Sequence, residues 1–158
     1  MTIQVGDKIP DGMFTVMGAD GPTGVSTADI FSGKKVVLFA VPGAFTPTCS
    51  AAHLPGFVVH VDDIKAKCVD TVACMSVNDV FVTDAWGKSA NAEHLMMLAD
   101  GNATFTEALG LVLDGSGFGM GTRSQRFAMI VDDGVVSLLN VDAGALEASS
   151  AEAILAAL

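Results

Sequence analysis

From Val36 to Val41 every side chain is apolar, and the run ends against Pro42-Gly43. A strand with one wet face alternates polar and apolar residues, whereas one covered on both faces does not. The run from Lys34 to Val41 therefore predicts a central strand of a parallel sheet with helices on both sides. Beyond the turn, His53, Phe57, Val61 and Ile64 recur at spacings of three and four, which predicts a helix from Cys49 to about Lys67. Pro55-Gly56 predicts a kink in it. The chain thus passes from a buried strand through Gly43-Ala44-Phe45-Thr46-Pro47-Thr48 into a helix, with Cys49 at the helix start. The unpaired N–H groups and the positive end of the macrodipole concentrate there. Both favour a thiolate, the nucleophilic form of cysteine. Pro47 suits that position because a missing N–H costs nothing there.

The rest of the chain supplies alternating elements. Met13–Met17 reads as a strand and Gly18–Pro22 as a turn. Ser26 opens a short helix that ends at Gly33. Val69–Val77 is a second central strand, and Asn78 reads as the cap of a helix from Asp79 to about Asn91. Leu95–Ala99 reads as a strand. Thr104 and Glu107 have the spacing of a capping box for a helix to Leu109. The segment from Leu111 to Thr122 is glycine-rich and reads as a mobile or tightly turning loop. Phe127–Val131 and Val135–Leu139 flank Asp132-Asp133-Gly134, a hairpin signal. A last amphipathic helix follows Ser149 or Ser150. This pattern predicts an α/β layered domain.

Composition narrows the function. A chain of 158 residues fits one domain, 1–158, and 51% hydrophobic content supports a sizeable core. A net charge of −10 with eight Lys and Arg argues against a nucleic-acid surface or an anionic membrane. No apolar run approaches the roughly 18 residues that span a bilayer. Three cysteines do not make a disulfide scaffold and point to a reducing, cytoplasmic compartment, with an organellar location after transit-peptide removal left open. His53, His60 and His94 are scattered, so neither a metal site nor a resident cofactor is expected. Ser50 and Ala52 follow Cys49, so there is no Cys-x-x-Cys of a dithiol oxidoreductase.

Pro42-Gly43-Ala44-Phe45-Thr46-Pro47-Thr48-Cys49 resembles the active-site motif of the peroxiredoxins, in a form similar to the atypical type-II, or type-five, group. Ala52–Phe57, Ala73–Asp79, Ala85-Trp86-Gly87 and Arg123–Met129 extend the resemblance over nearly the whole chain. It implies a thioredoxin-like fold, a central mixed sheet flanked by helices. It also implies a thiol-dependent peroxidase in which Cys49 is oxidised to a sulfenic acid by hydrogen peroxide and organic hydroperoxides.

For that chemistry Thr46 is the side-chain donor, and the N–H groups of Gly43 and Cys49 supply others. Pro42 shields the sulfur from water, and Arg126 is the permanent cation that the resemblance implies, with Arg123 behind it or at the surface. Phe45, Leu113 and Phe118 are candidates for an apolar approach for alkyl peroxides. His53, one helical turn from Cys49, reads as a packed histidine in preference to a group tuning the thiolate. Trp86 and Val80–Ala85 are candidates for the homodimer contact that the resemblance implies. Cys74 is the possible resolving cysteine. No cysteine lies near the C-terminus, so external resolution by glutathione and glutaredoxin is favoured, with a Cys49–Cys74 disulfide and thioredoxin as runner-up. A redox sensor or holdase that uses Cys49 without rapid turnover is the alternative from another functional class.

Overall fold

A computed structural model describes residues 2–143 and 145–158. The all-apolar run becomes β3 (Lys35–Val41), an interior strand of a mixed seven-stranded sheet ordered β2-β1-β5-β4-β3-β8-β9. Here β1 is Met13–Gly18, β2 Gly21–Ser26, β4 Thr71–Ser76, β5 Met96–Ala99, β8 Arg126–Asp132 and β9 Val135–Asp142. Strands β3, β4 and β5 run parallel, while β8 pairs antiparallel with β3 and β1 antiparallel with β5. Successive side chains of β3 point to opposite faces and each face is covered, which is why the run lacks polar positions. Val37, Phe39 and Val41 face α2 (Leu54–Lys65), α3 (Val80–Ser89) and α5 (Ala151–Ala157). Val36, Leu38 and Ala40 face α1 (Thr27–Phe31) and α4 (Thr104–Leu109).

Most elements stand where the sequence places them, and the departures have local causes. Gly21–Ser26 is a strand, because it closes a hairpin on β1 that its weak pattern conceals. The cap of α3 is Asp79, whose carboxylate accepts from Val82 N at 2.9 Å; Asn78 is used elsewhere. The Thr104–Glu107 capping box does not form. Ala103 takes a left-handed conformation instead, and the buried Asp100 carboxylate accepts from Phe105 N, Thr106 N and the Thr106 hydroxyl. The glycine-rich segment folds into a small hairpin, β6 (Val112–Asp114) with β7 (Thr122–Ser124). Asp133 and Gly134 both have positive φ, the type I′ geometry that Asp-Asp-Gly predicts. Ser150 caps α5.

Candidate active site

The turn after β3 is built under constraint. Phe45 has φ of 62°, a left-handed conformation that costs on the order of 1 kcal/mol for a residue with a side chain. It is held there from both sides. Ala44 N donates to Asn78 Oδ1 at 2.9 Å, and the Thr46 hydroxyl donates to Gly43 O at 2.7 Å. Gly43 is closely covered: a Cβ there would lie 3.0 Å from Thr46 Cγ2 and 3.1 Å from Arg123 Nη1, so both side chains would have to give.

Cys49 opens a π-helical turn, Cys49–His53, in which its carbonyl accepts from Leu54 N five residues on. Pro55 explains the wide turn, since it has no N–H to give to the carbonyl four residues earlier. The expected kink is this turn, placed just before Pro55 rather than at it. The Cys49 side chain is fully buried. Among the described residues its N–H finds no acceptor, and neither does that of Gly43, so both are free for an incoming oxygen.

Arg126, the first residue of β8, lies beside β3 and reaches the sulfur. Its Nη2 donates to Cys49 Sγ at 3.2 Å, and its Nη1 lies 2.7 Å from His53 Nδ1. A guanidinium can only donate, so His53 Nδ1 accepts and the ring proton is on Nε2, which donates to Ser149 O at 2.9 Å. Burial, and then the neighbouring Arg126 charge, lower the His53 pKa to about 4, against smaller opposing effects of Ser149 and Asp142. His53 is therefore neutral at pH 7. Among the described residues Arg126 has no carboxylate partner, so its charge is directed at the sulfur. A buried thiolate is costly unless such a donor compensates it.

The structure thus brings Cys49 and Arg126 together and adds His53, whose reading as packing alone is too narrow. It is packed, stacked near Phe39 and Phe57, and it also holds Arg126. Its spacing of four from Cys49 was the signal; the partner 73 residues away was not visible. Trp86 is buried, with its N–H donating to the Ser50 hydroxyl at 3.0 Å, so it cannot form a surface contact; Phe81 on the same helix is exposed. Arg123 donates to Met120 O and Val77 O, which ties the β6–β7 hairpin over Gly43. Pro42 is half-buried at the end of β3. Phe45, Leu113 and Phe118 are 55%, 38% and 85% exposed, the last two on the hairpin segment that carries Arg123. Cys74 is buried in the middle of β4, in the same core cluster as Cys49, and burial followed by the Cys49 charge raises its pKa.

The chain has relatives among known proteins. The Redoxin family model matches residues 4–155. Peroxiredoxin-2B of Arabidopsis thaliana is 48% identical over 161 residues, covering 99% of this chain and 98% of that one. The chloroplastic peroxiredoxin-2E-2 of Oryza sativa subsp. japonica is 49% identical over 164 residues, covering 99% and 73%. Reduced Prx3 of Vibrio vulnificus, solved in complex with H2O2, superposes with a TM-score of 0.96 at 55% identity over 99% of each chain.

Proposed function

The chain belongs to the peroxiredoxin family, with its thioredoxin-like fold and thiol peroxidase activity, and from that premise we propose how it acts and what recycles it. The contact between Arg126 Nη2 and Cys49 Sγ at 3.2 Å carries the reading. The 158 residues work as one domain. The Cys49 thiolate attacks one oxygen of hydrogen peroxide or an organic hydroperoxide. The S–O bond forms as the O–O bond breaks, leaving a sulfenic acid, and the departing oxygen leaves as water or alcohol after taking a proton. Arg126 and the free N–H groups of Gly43 and Cys49 stabilise the charge that develops on oxygen. Thr46 joins them once its hydroxyl turns from Gly43 O toward the peroxide. Pro42 limits water at the sulfur, and Phe45, Leu113 and Phe118 give alkyl peroxides an apolar approach.

An external thiol reduces the sulfenic acid. Glutathione attacks the sulfur and water leaves. A second glutathione, delivered through glutaredoxin, then attacks the mixed disulfide and releases Cys49 as thiol with oxidised glutathione. The state of Cys74 supports this route: its raised pKa and burial make it a poor nucleophile. An internal Cys49–Cys74 disulfide reduced by thioredoxin is the second route, favoured by the presence of both cysteines in one cluster. The protein acts in the cytosol, and the exposed face of α3 that carries Phe81 joins two copies into a homodimer.

Peroxide consumption with glutathione and glutaredoxin, and separately with thioredoxin and its reductase, tests the proposal on wild type, Cys49→Ser and Cys74→Ser. Turnover supported by glutaredoxin and lost only in Cys49→Ser is expected. Loss in Cys74→Ser as well means an internal disulfide. Oxidation of Cys49 without turnover on either reductant overturns the recycling scheme and leaves a redox sensor.

A further inference from the structure

Asp142 ends β9, and the chain after it folds back onto its carboxylate. Oδ2 accepts from Glu147 N at 3.0 Å, Ser149 N at 2.9 Å and the Ser149 hydroxyl at 2.6 Å, and Oδ1 accepts from Ala148 N at 3.1 Å. Four donors on one carboxylate fix the backbone of residues 147–149. Burial pushes the carboxyl pKa up, but the hydrogen bonds from Ser149, Glu147 and Ala148 outweigh it and hold the pKa at about 2. The segment so fixed presents Ser149 O to His53 Nε2.

Each contact then dictates the next. A carbonyl only accepts, so the proton of His53 stays on Nε2. Nδ1 is left with a lone pair, which takes Arg126 Nη1. With Nη1 occupied and the planar fork fixed, Nη2 is aimed at Cys49 Sγ. Ser149, His53 and Arg126 are all buried, so water does not compete along this path.

We propose that Asp142 and Ser149 are positioning residues for the reaction at Cys49: they fix the tautomer and seat of His53, and His53 holds the Arg126 fork against the sulfur. The inference rests on the reading of Cys49 and Arg126 as the reacting pair. It extends the active site to the C-terminal turn, which touches neither substrate nor sulfur.

The test compares Asp142→Asn, Ser149→Ala, His53→Leu, His53→Asn and the double variant Asp142→Asn/His53→Leu with wild type. One readout is stoichiometric oxidation of Cys49 by hydrogen peroxide without reductant, followed by fluorescence of Trp86, the single tryptophan, which is hydrogen-bonded beside Cys49. The second is the pH profile of Cys49 alkylation by iodoacetamide. It involves no peroxide and so reports the relay even if Cys49 proves not to be peroxidatic. Asp142→Asn slows oxidation by about three- to tenfold and moves the alkylation profile to higher pH. Ser149→Ala, which keeps the backbone bonds, acts in the same direction and more weakly, and it remains informative if Asp142→Asn does not fold. The double variant is no slower than His53→Leu alone, because the effect of Asp142 passes through His53. His53→Asn, whose side-chain oxygen can accept from Nη1, recovers part of the rate that His53→Leu loses. Oxidation and alkylation within twofold of wild type in both Asp142→Asn and Ser149→Ala, whatever their melting temperatures, overturn the proposal. So does a double variant whose losses multiply.

Discussion

Cys49, in the turn after β3, and Cys74, in the middle of β4, belong to one apolar cluster and are 0% and 1% exposed. Burial alone would make both inert, since it favours the neutral thiol. The difference lies in polar supply. Cys74 sits in a regular ladder opposite Phe39, where every nearby backbone group is already paired and burial raises its pKa. Cys49 sits where the ladder has ended. Among the described residues the N–H groups of Gly43 and Cys49 have no acceptor, the π-helical turn brings His53 onto the sulfur's side, and the start of β8 supplies Arg126. A reactive cysteine here is made by interruption of regular structure next to a cation, not by exposure.

Removing the cation should erase the contrast. Arg126→Met keeps the length and apolar stem of the side chain and loses the donors. It is expected to lower kcat/KM for peroxide by about a hundred- to a thousandfold in steady-state assays, with the fold intact by circular dichroism. Thr46→Val keeps the shape and removes the hydroxyl; a loss of about a hundredfold is expected, with Thr46→Ser recovering most of it. If Thr46→Val is silent, the hydroxyl does no more than brace Gly43 O.

Acid should weaken the Cys49 region before the rest. The folded-state pKa of His53 is depressed to about 4 from 6.5, so between these values the unfolded chain binds more protons. This contribution is complete above pH 6.5 and declines as pH falls through the window, by roughly 3 kcal/mol at its lower end. Asp142, depressed to about 2, extends the decline below its ordinary range. Chemical denaturation between pH 7 and 4 checks this, and His53→Leu should flatten the curve. The smallest effect is expected at Cys74. Cys74→Ala removes one buried sulfur, with a stability loss of about 1 kcal/mol in urea. Turnover with glutathione and glutaredoxin should change by less than twofold.

The legibility of this site in the sequence follows the range of the interactions. The strand–turn–helix frame is local: the apolar run, the Pro-Gly turn and the three-four spacing place Cys49 from a window of about thirty residues. The type I′ hairpin at Asp133-Gly134 was readable for the same reason. Arg126 stands at the mouth of a readable strand, Phe127–Val131, but its role rests mainly on the family resemblance of Arg123–Met129. The roles of His53, Trp86 and Asp142 were hidden because each depends on a partner or fold-back set by tertiary packing: Arg126 for His53, Ser50 for Trp86 and residues 147–149 for Asp142. The Thr104 capping box failed for a related reason. Its spacing was right, but the buried Asp100 offered the helix start a charged acceptor for three donors at once.

The contrast between the two cysteines is tested most directly by asking where the first oxygen lands. Reduced protein treated with one equivalent of hydrogen peroxide, in the presence of a dimedone-type trap for sulfenic acids and without any thiol, is digested and read by mass spectrometry. One adduct per chain is expected, on Cys49, and its loss in Arg126→Met at the same exposure. Adduct on Cys74, or on the exposed third cysteine, Cys68, in place of Cys49 overturns the contrast, and so does labelling of Cys49 that Arg126→Met leaves unchanged.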